Sequence, residues 1–322
     1  MKKDKNRFII DGKNSLLIKT KKHFEYKFKN CSTTSQLKKQ FQNITQFLDT
    51  ISDEERNLNF MFTRFLCFVR PDQFHFSYDS DVKNLSIEEV YHHCKESIQF
   101  GDPCAQALCL LAKYKSHTLA KKLPQAYTQQ VNILQCVDLD RLSTLTMPQR
   151  EYLINIHQSE ILQNALRQIF TEWTKKSVLH GDYRMPNILF RDDQKIPLHV
   201  IDWELCGRGP RMYDWATLMV DYVTLYLCHY METRGHPEKL SLTDIEKLLQ
   251  QHFQLLQGCF PQERPQALAQ EYLQWIGALL MLKGLYVIPQ YSAGEILSEL
   301  LFQMGRRFLV EHDQLQKKYF SL

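Results

Sequence analysis

Two short motifs in the second half of the chain carry residue types that do chemistry: HGDYRMPN (His180 to Asn187) and IDWE (Ile201 to Glu204). In the first, an Asp is followed after four residues by an Asn; the second places an Asp at the end of the next apolar run. That donor set serves phosphoryl transfer, in which triphosphate oxygens are neutralised by hard divalent cations held by carboxylate and amide oxygens. Asn187 and Asp202 are of the metal-binding type. Asp182 stands where a carboxylate can accept a hydrogen bond from an acceptor hydroxyl. Either motif alone fits a tight turn with solvated acids. Their order, and the hairpin between them, favour the chemical reading.

The elements that must position these residues follow from the local pattern. Pro186 blocks helix continuation between the two polar residues, and Ile188, Leu189 and Phe190 resume as a buried strand. A second apolar run, Leu198 to Ile201, follows the polar turn Arg191 to Lys195. Strand, turn and strand therefore deliver both motifs to one mouth. Arg184, on the same loop as Asp182, is a candidate catalytic residue: its guanidinium can stabilise transferring phosphate oxygens, or pair with Asp182 or a substrate carboxylate. Glu204 either supports the metal through water or is structural.

The stretch from His157 to Tyr222, including HQSEILQNALRQIFTEW, VLHGDYRMPNILF and VIDWELCGRGPRMYDWATLMVDY, resembles the aminoglycoside phosphotransferase and choline kinase family, a branch of the protein-kinase-like fold. The resemblance implies that Asp182 is the catalytic base, that Asn187 and Asp202 bind Mg²⁺ beside ATP, and that Asp214 ties the catalytic loop to a following helix. His180 is then a brace for the loop rather than a catalyst. Within the family, the HQS segment, Trp173 and the WEL ending are most similar to kinases encoded with ribosomal-peptide tailoring enzymes, which phosphorylate Ser or Thr. Two departures stand out. The family's Gly-Asp-Pro after the metal strand is here Gly209, Pro210 and Arg211, an acid exchanged for a cation, which predicts a change in substrate charge. Gly12 is the only glycine before Gly101, so a glycine-rich phosphate loop is absent and fewer backbone N–H groups serve the nucleotide.

The first eighty residues are crowded with strand signals. Phe8 to Ile10, Leu16 to Lys19, Phe24 to Phe28, Phe65 to Val69 and Phe74 to Tyr78 alternate or run apolar, with Asp11 to Asn14 as a turn. Leu37, Phe41, Ile44 and Leu48 recur at helical spacing after Thr33, Thr34 and Ser35, predicting one helix packed on that sheet. Such a lobe should provide a lysine for the α/β phosphates. Lys19 is the candidate because Leu17, two residues earlier on the same strand face, offers an apolar roof for adenine. Lys27 shares its face with Glu25 and Lys29, a pattern better suited to a solvated surface. The expected helix holds no Glu between Thr33 and Leu48 to orient the lysine; Glu54 and Glu55 read as exposed.

Asp79 to Asn84 reads as a hinge. Beyond it helical periodicity dominates: Pro103 to Tyr114, Met147 to His157, Ile161 to Trp173, Tyr213 to His229, Ile245 to Leu256, Ala267 to Leu285 and Ile296 to Val310. The predicted fold class is α+β, bilobal and protein-kinase-like: a small antiparallel-sheet N-lobe over residues 1–80 and a larger, mainly helical C-lobe over residues 81–322. Trp173, Trp215 and Trp275 lie on helical patterns and read as packing residues.

Composition narrows the class. In 322 residues, 44% hydrophobic and 24% charged content fits a folded protein with two substantial cores, and a net charge of +4 does not call for a nucleic-acid partner. The nine cysteines are scattered with no CxxC pair, which suits a reducing cytosol; His92, His93 and Cys94 lack a second ligand pair at zinc spacing. The lysine-rich start lacks an apolar signal core, and no apolar run reaches membrane length. A cytoplasmic location with no membrane partner is expected. The sequence thus predicts an ATP- and Mg²⁺-dependent phosphotransferase acting on a hydroxyl of a small molecule or of a peptide Ser/Thr. The alternative is a nucleotide-binding pseudokinase or scaffold, favoured by the missing glycine loop and opposed by the filled catalytic positions.

Overall fold

The computed structural model describes seven backbone strands between residues 8 and 86, isolated positions between 105 and 123, and residues 129–322 apart from 138, 172–175, 192–197, 201–204, 233–240 and 289–293. Strands β1 (Phe8–Asp11), β2 (Ser15–Lys19), β3 (Phe24–Phe28), β5 (Arg64–Arg70) and β6 (Gln73–Ser77) form an antiparallel sheet in the order β1-β2-β3-β6-β5. These are the five segments with strand signals, β6 beginning one residue earlier than Phe74. The expected helix over Leu37 to Leu48 lies outside the described residues, as do Glu54, Glu55, His92, His93 and Cys94.

A second sheet carries the catalytic hairpin. β9 (Ile188–Arg191) and β10 (Leu198–Val200) pair antiparallel, with Leu189 opposite His199, as the two apolar runs predicted. The hairpin is widened on both edges by short strands from earlier in the chain. β4 (Met61–Phe62) lies parallel to β10, and β7 (Asn84–Ser86) antiparallel to β9. Asn84, assigned to a hinge from its polarity, instead starts β7; residues 79–83 lie outside the described residues. A strand of three residues has too little alternation to be read without its partner. β8 (Lys176–Leu179) and β11 (Gly207–Pro210) form a two-stranded ribbon that went unpredicted, because GRGP carries two glycines and a proline that read as loop.

The rest is helical: α1 (Leu139–Thr144), α2 (Met147–Gln158), α3 (Glu160–Thr171), α4 (Tyr213–Glu232), α5 (Leu242–Cys259), α6 (Pro265–Val287), α7 (Gly294–Val310) and α8 (His312–Phe320). α6 is apolar on all sides and is buried over most of its length, as a helix without a polar face must be. α7 crosses it at Gly277 and Gly305; a Cβ on Gly277 would stand 2.6 Å from the Leu309 nitrogen and 2.7 Å from the Gly305 oxygen. α2 is tied to the same helix by Tyr152, whose hydroxyl donates to the Met281 carbonyl at 2.7 Å, and by Gln149, whose amide donates to the Leu285 carbonyl at 3.0 Å. Trp215 and Trp275 are buried in this core, as packing residues should be, while Trp173 lies outside the described residues. α4 packs on α6 and presents its N-terminal turns to the end of β8. No helix among the described residues is long and apolar enough to cross a membrane.

Candidate active site

β8 runs into the tripeptide His180, Gly181 and Asp182, and the backbone there must turn sharply. Gly181 has φ +87°, the left-handed region, and a Cβ at this position would meet the Leu205 carbonyl oxygen at 2.4 Å. Both facts require glycine. The N–H groups of His180 and Gly181 are buried beside the turn and donate to the two oxygens of Asp214, at 2.6 and 3.1 Å. Asp214 lies in the first turn of α4, so a single carboxylate joins the loop to that helix, as the family resemblance implied. Burial pushes its pKa up to about 7, with the charge of Asp182 adding to the rise and the two N–H donors opposing it.

His180 is fully buried. Its Nδ1 accepts the Asp182 N–H at 3.2 Å, and its ring meets Tyr183 edge-on at 5.8 Å. The imidazole braces the loop through these two contacts. Arg184 N–H donates back to the Asp182 carbonyl at 2.9 Å, and Asn187 N–H to the Arg184 carbonyl at 2.9 Å. A single 3₁₀ turn, Met185–Asn187, follows, with Pro186 inside it rather than merely ending a helix.

This turn brings Asn187 back onto Asp182. The Asn187 amide nitrogen donates to both the carbonyl and the Oδ2 of Asp182, each at 2.9 Å. With both amide hydrogens spent, the remaining polar atom of Asn187 is its amide oxygen, the hard neutral donor that suits Mg²⁺. Asp182 is partly buried, and its pKa is raised: burial is the main cause, Asp221 adds to it, and Arg184, Asn187 and Lys283 oppose it. The loop thus sets a carboxylate, an amide oxygen and a guanidinium within a few residues of backbone.

Asp202, the second expected metal ligand, lies outside the described residues, and so does Glu204. Among the described residues no group of three or more His, Cys, Asp or Glu could hold a metal. Leu17 and Lys19 are placed as backbone in β2, the strand between β1 and β3; Leu17 is opposite Ile10 and Tyr26, Lys19 opposite Phe8 and Phe24. Lys27 is opposite Leu16 and Gln73.

The guanidinium of Arg211, the cation that stands where the resembled family has an acid, is buried and bonded to Glu271 at 2.6 and 3.0 Å and to Glu263 at 3.1 Å, over the Phe260 ring. Two glutamates neutralise it internally, so it anchors the segment after β11 to α6.

Two residues were missed from sequence. Asp221 of α4 accepts the Met185 N–H at 3.0 Å and pairs with Arg184 Nε at 3.8 Å and with Lys283 Nζ of α6 at 3.5 Å. Asp221 is thus one ion-pair partner of Arg184. A signal existed for both. Asp221 interrupts the apolar run LMVDYV, and Lys283 is the one charge between Glu271 and Glu295; lone charges in buried helices are rarely left without a partner.

The family model described as the phosphotransferase enzyme family matches residues 76–238, just over half of the 322-residue chain. The choline/ethanolamine kinase family protein from Mesorhizobium loti shares 12% identity, with a TM-score of 0.56 over 95% of this chain and 88% of that one. Ethanolamine kinase of Plasmodium vivax shares 16% identity, with a TM-score of 0.52 over 98% and 83%. These likenesses show a kinase-like α+β fold, bilobal as predicted. A curated relative, "Probable acyl-CoA dehydrogenase IBR3" of Arabidopsis thaliana, is 24% identical over 107 residues, 28% of this chain and 13% of that protein. The match therefore spans a small part of that relative's length.

Proposed function

We propose that this chain, a member of the phosphotransferase enzyme family by its match over residues 76–238, moves the γ-phosphoryl group of ATP to a hydroxyl of a small molecule. The observation that carries the reading is the Asp182–Asn187 pair: a partly buried carboxylate and a metal-type amide held 2.9 Å apart on a loop that Asp214 pins to the core. Asp182 accepts the hydrogen bond of the acceptor hydroxyl, aims its oxygen at phosphorus and takes its proton. Its raised pKa makes it a better proton acceptor than a fully solvated Asp. Asn187 would offer its amide oxygen to Mg²⁺, with Asp202, two residues beyond β10 in sequence, as the carboxylate partner. The metal, when bound, would neutralise charge on the β- and γ-phosphate oxygens. Arg184 stabilises the transferring phosphoryl oxygens, and Lys19, with Leu17 as adenine roof, serves the nucleotide from β2. Residues 1–80 act as the nucleotide-covering lobe and 81–322 as the catalytic one.

A peptide Ser or Thr is the second acceptor class under this reading, because the base needs only a hydroxyl. The test is Asp182→Asn, which keeps shape and removes the proton acceptor. Phosphoryl transfer from MgATP to an acceptor found in a panel of hydroxyl compounds and Ser/Thr peptides should fall on the order of 10² to 10⁴ while MgATP affinity stays near wild type. Wild-type turnover in the variant would rule Asp182 out as base.

A further inference from the structure

One strip of α6 opens to solvent beside the catalytic loop. From Tyr272 to Val287 every residue of that helix is buried except Lys283 and Tyr286, which stand three apart and so share a face. Lys283 is tied to the loop through Asp221: its Nζ lies 3.5 Å from Oδ1, while Oδ2 accepts the Met185 N–H at 3.0 Å. Its charge also acts on Asp182, whose pKa is raised chiefly by burial and is held back in part by Lys283. Tyr286 belongs to the same neighbourhood. The pKa of the Tyr213 hydroxyl is raised chiefly by burial and further by Asp214, Asp182 and Tyr286. At the far end of the strip, Arg141 Nη2 donates to the Tyr286 hydroxyl at 3.3 Å.

An ammonium carries three N–H donors, and 3.5 Å exceeds the about 2.7–3.2 Å of a direct N–H···O bond, so Asp221 orients Lys283 without saturating it. The Lys283 side chain is 26% exposed, against 10% for the carboxylate. Solvent, and whatever replaces it, therefore meets the cation before the acid. Arg141 sets a second positive charge on the same strip. A cationic acceptor brought to Asp182 along this face would meet like charges, and an anionic one would meet counter-charges. We propose that Lys283 and Tyr286 form the acceptor subsite, and that the acceptor is a small hydroxyl compound bearing an anionic group, carboxylate or phosphate, held by Lys283. The inference rests on Asp182 being the base that takes the hydroxyl proton.

The test uses the full chain, MgATP and two matched acceptor sets: glycerate, glycerol phosphate, glycerol and aminopropanediol, then glucuronate, glucose phosphate, glucose and glucosamine. In wild type, kcat/KM for an anionic member should exceed that for the neutral one on the order of tenfold, with the cationic member lowest. The carboxylate and phosphate arms show which anion is taken. Lys283→Gln should level the preference by raising the acceptor KM on the order of tenfold, with kcat and the KM for MgATP near wild type, and Lys283→Arg should keep it. A merely structural role would lower turnover of every member alike. Melting curves check folding; if Asp221 without its counter-charge unfolds the single variant, Asp221→Asn is added to it. A wild-type preference for neutral or cationic members, or a preference that survives Lys283→Gln, overturns the proposal. Asp182→Asn separates the two levels. If it keeps wild-type transfer, the assignment of the base fails; if it abolishes a transfer that shows no charge preference, this inference alone fails. A wild-type protein that phosphorylates no member of either set overturns the inference.

Discussion

Replacing Asp214 tests how the catalytic loop is held. Its two oxygens satisfy the buried N–H groups of His180 and Gly181. Asp214→Ala leaves both donors without a partner, at about 1–3 kcal/mol each, so a loss of about 2–6 kcal/mol is expected. Asp214→Asn keeps one oxygen and sheds the charge. The pKa of the buried acid, raised from 3.8 to about 7, sets the pH dependence of the comparison. A raised folded-state pKa means that the acid's contribution is fully present below the unfolded pKa and is lost as pH rises through 7. Wild type should therefore gain about 2.5 kcal/mol on going from pH 8 to pH 5 from this group, and Asp214→Asn should not. The assay is urea unfolding of wild type and both variants at pH 8, 7, 6 and 5. The Asn variant should lie closest to wild type at pH 8 and fall behind as the solution is acidified. A wild-type-minus-Asn difference independent of pH would refute the argument that burial dominates this carboxylate. Equal stability of Asn and Ala would refute the hydrogen-bond part.

Gly181→Ala must bring a Cβ to 2.4 Å from the Leu205 oxygen at a φ of +87°; it should cost about 2 kcal/mol or more in urea unfolding and cut phosphoryl transfer further, and a wild-type melting curve would count against the observed turn. His252 offers the opposite pH slope to Asp214. It is fully buried, its Nδ1 lies 3.0 Å from the Tyr272 hydroxyl, its Nε2 has no hydrogen-bond partner among the described residues, and burial lowers its pKa to about 4. A depressed pKa gives stability that is present above 6.5 and lost as pH falls toward 4. Relative to His252→Leu, wild type should lose about 2 kcal/mol between pH 7 and pH 5, and parallel unfolding curves would sink the assignment.

The polar character of the site was legible in the chain because its chemistry is local. Asp182, Arg184 and Asn187 sit within six consecutive residues, and one 3₁₀ turn is enough to fold Asn187 onto Asp182. The strands that follow them, β9 and β10, and most helices were legible for a related reason: apolar residues repeat with the period of the element that buries them. β8, β11 and β7 were not, since each is short and exists through pairing with a segment distant in sequence.

What only the tertiary structure decided is where each charge goes. From sequence, Arg211 was a cation gained where the resembled family has an acid; packing places it between Glu263 and Glu271, residues 52 and 60 positions away. Arg184 had several candidate partners on its own loop or the substrate, and packing adds Asp221, which also holds a lysine from α6. Ion pairs across a core have no period and no fixed spacing. Their partners are chosen by which helix faces meet, and by the cost of leaving any buried charge unanswered.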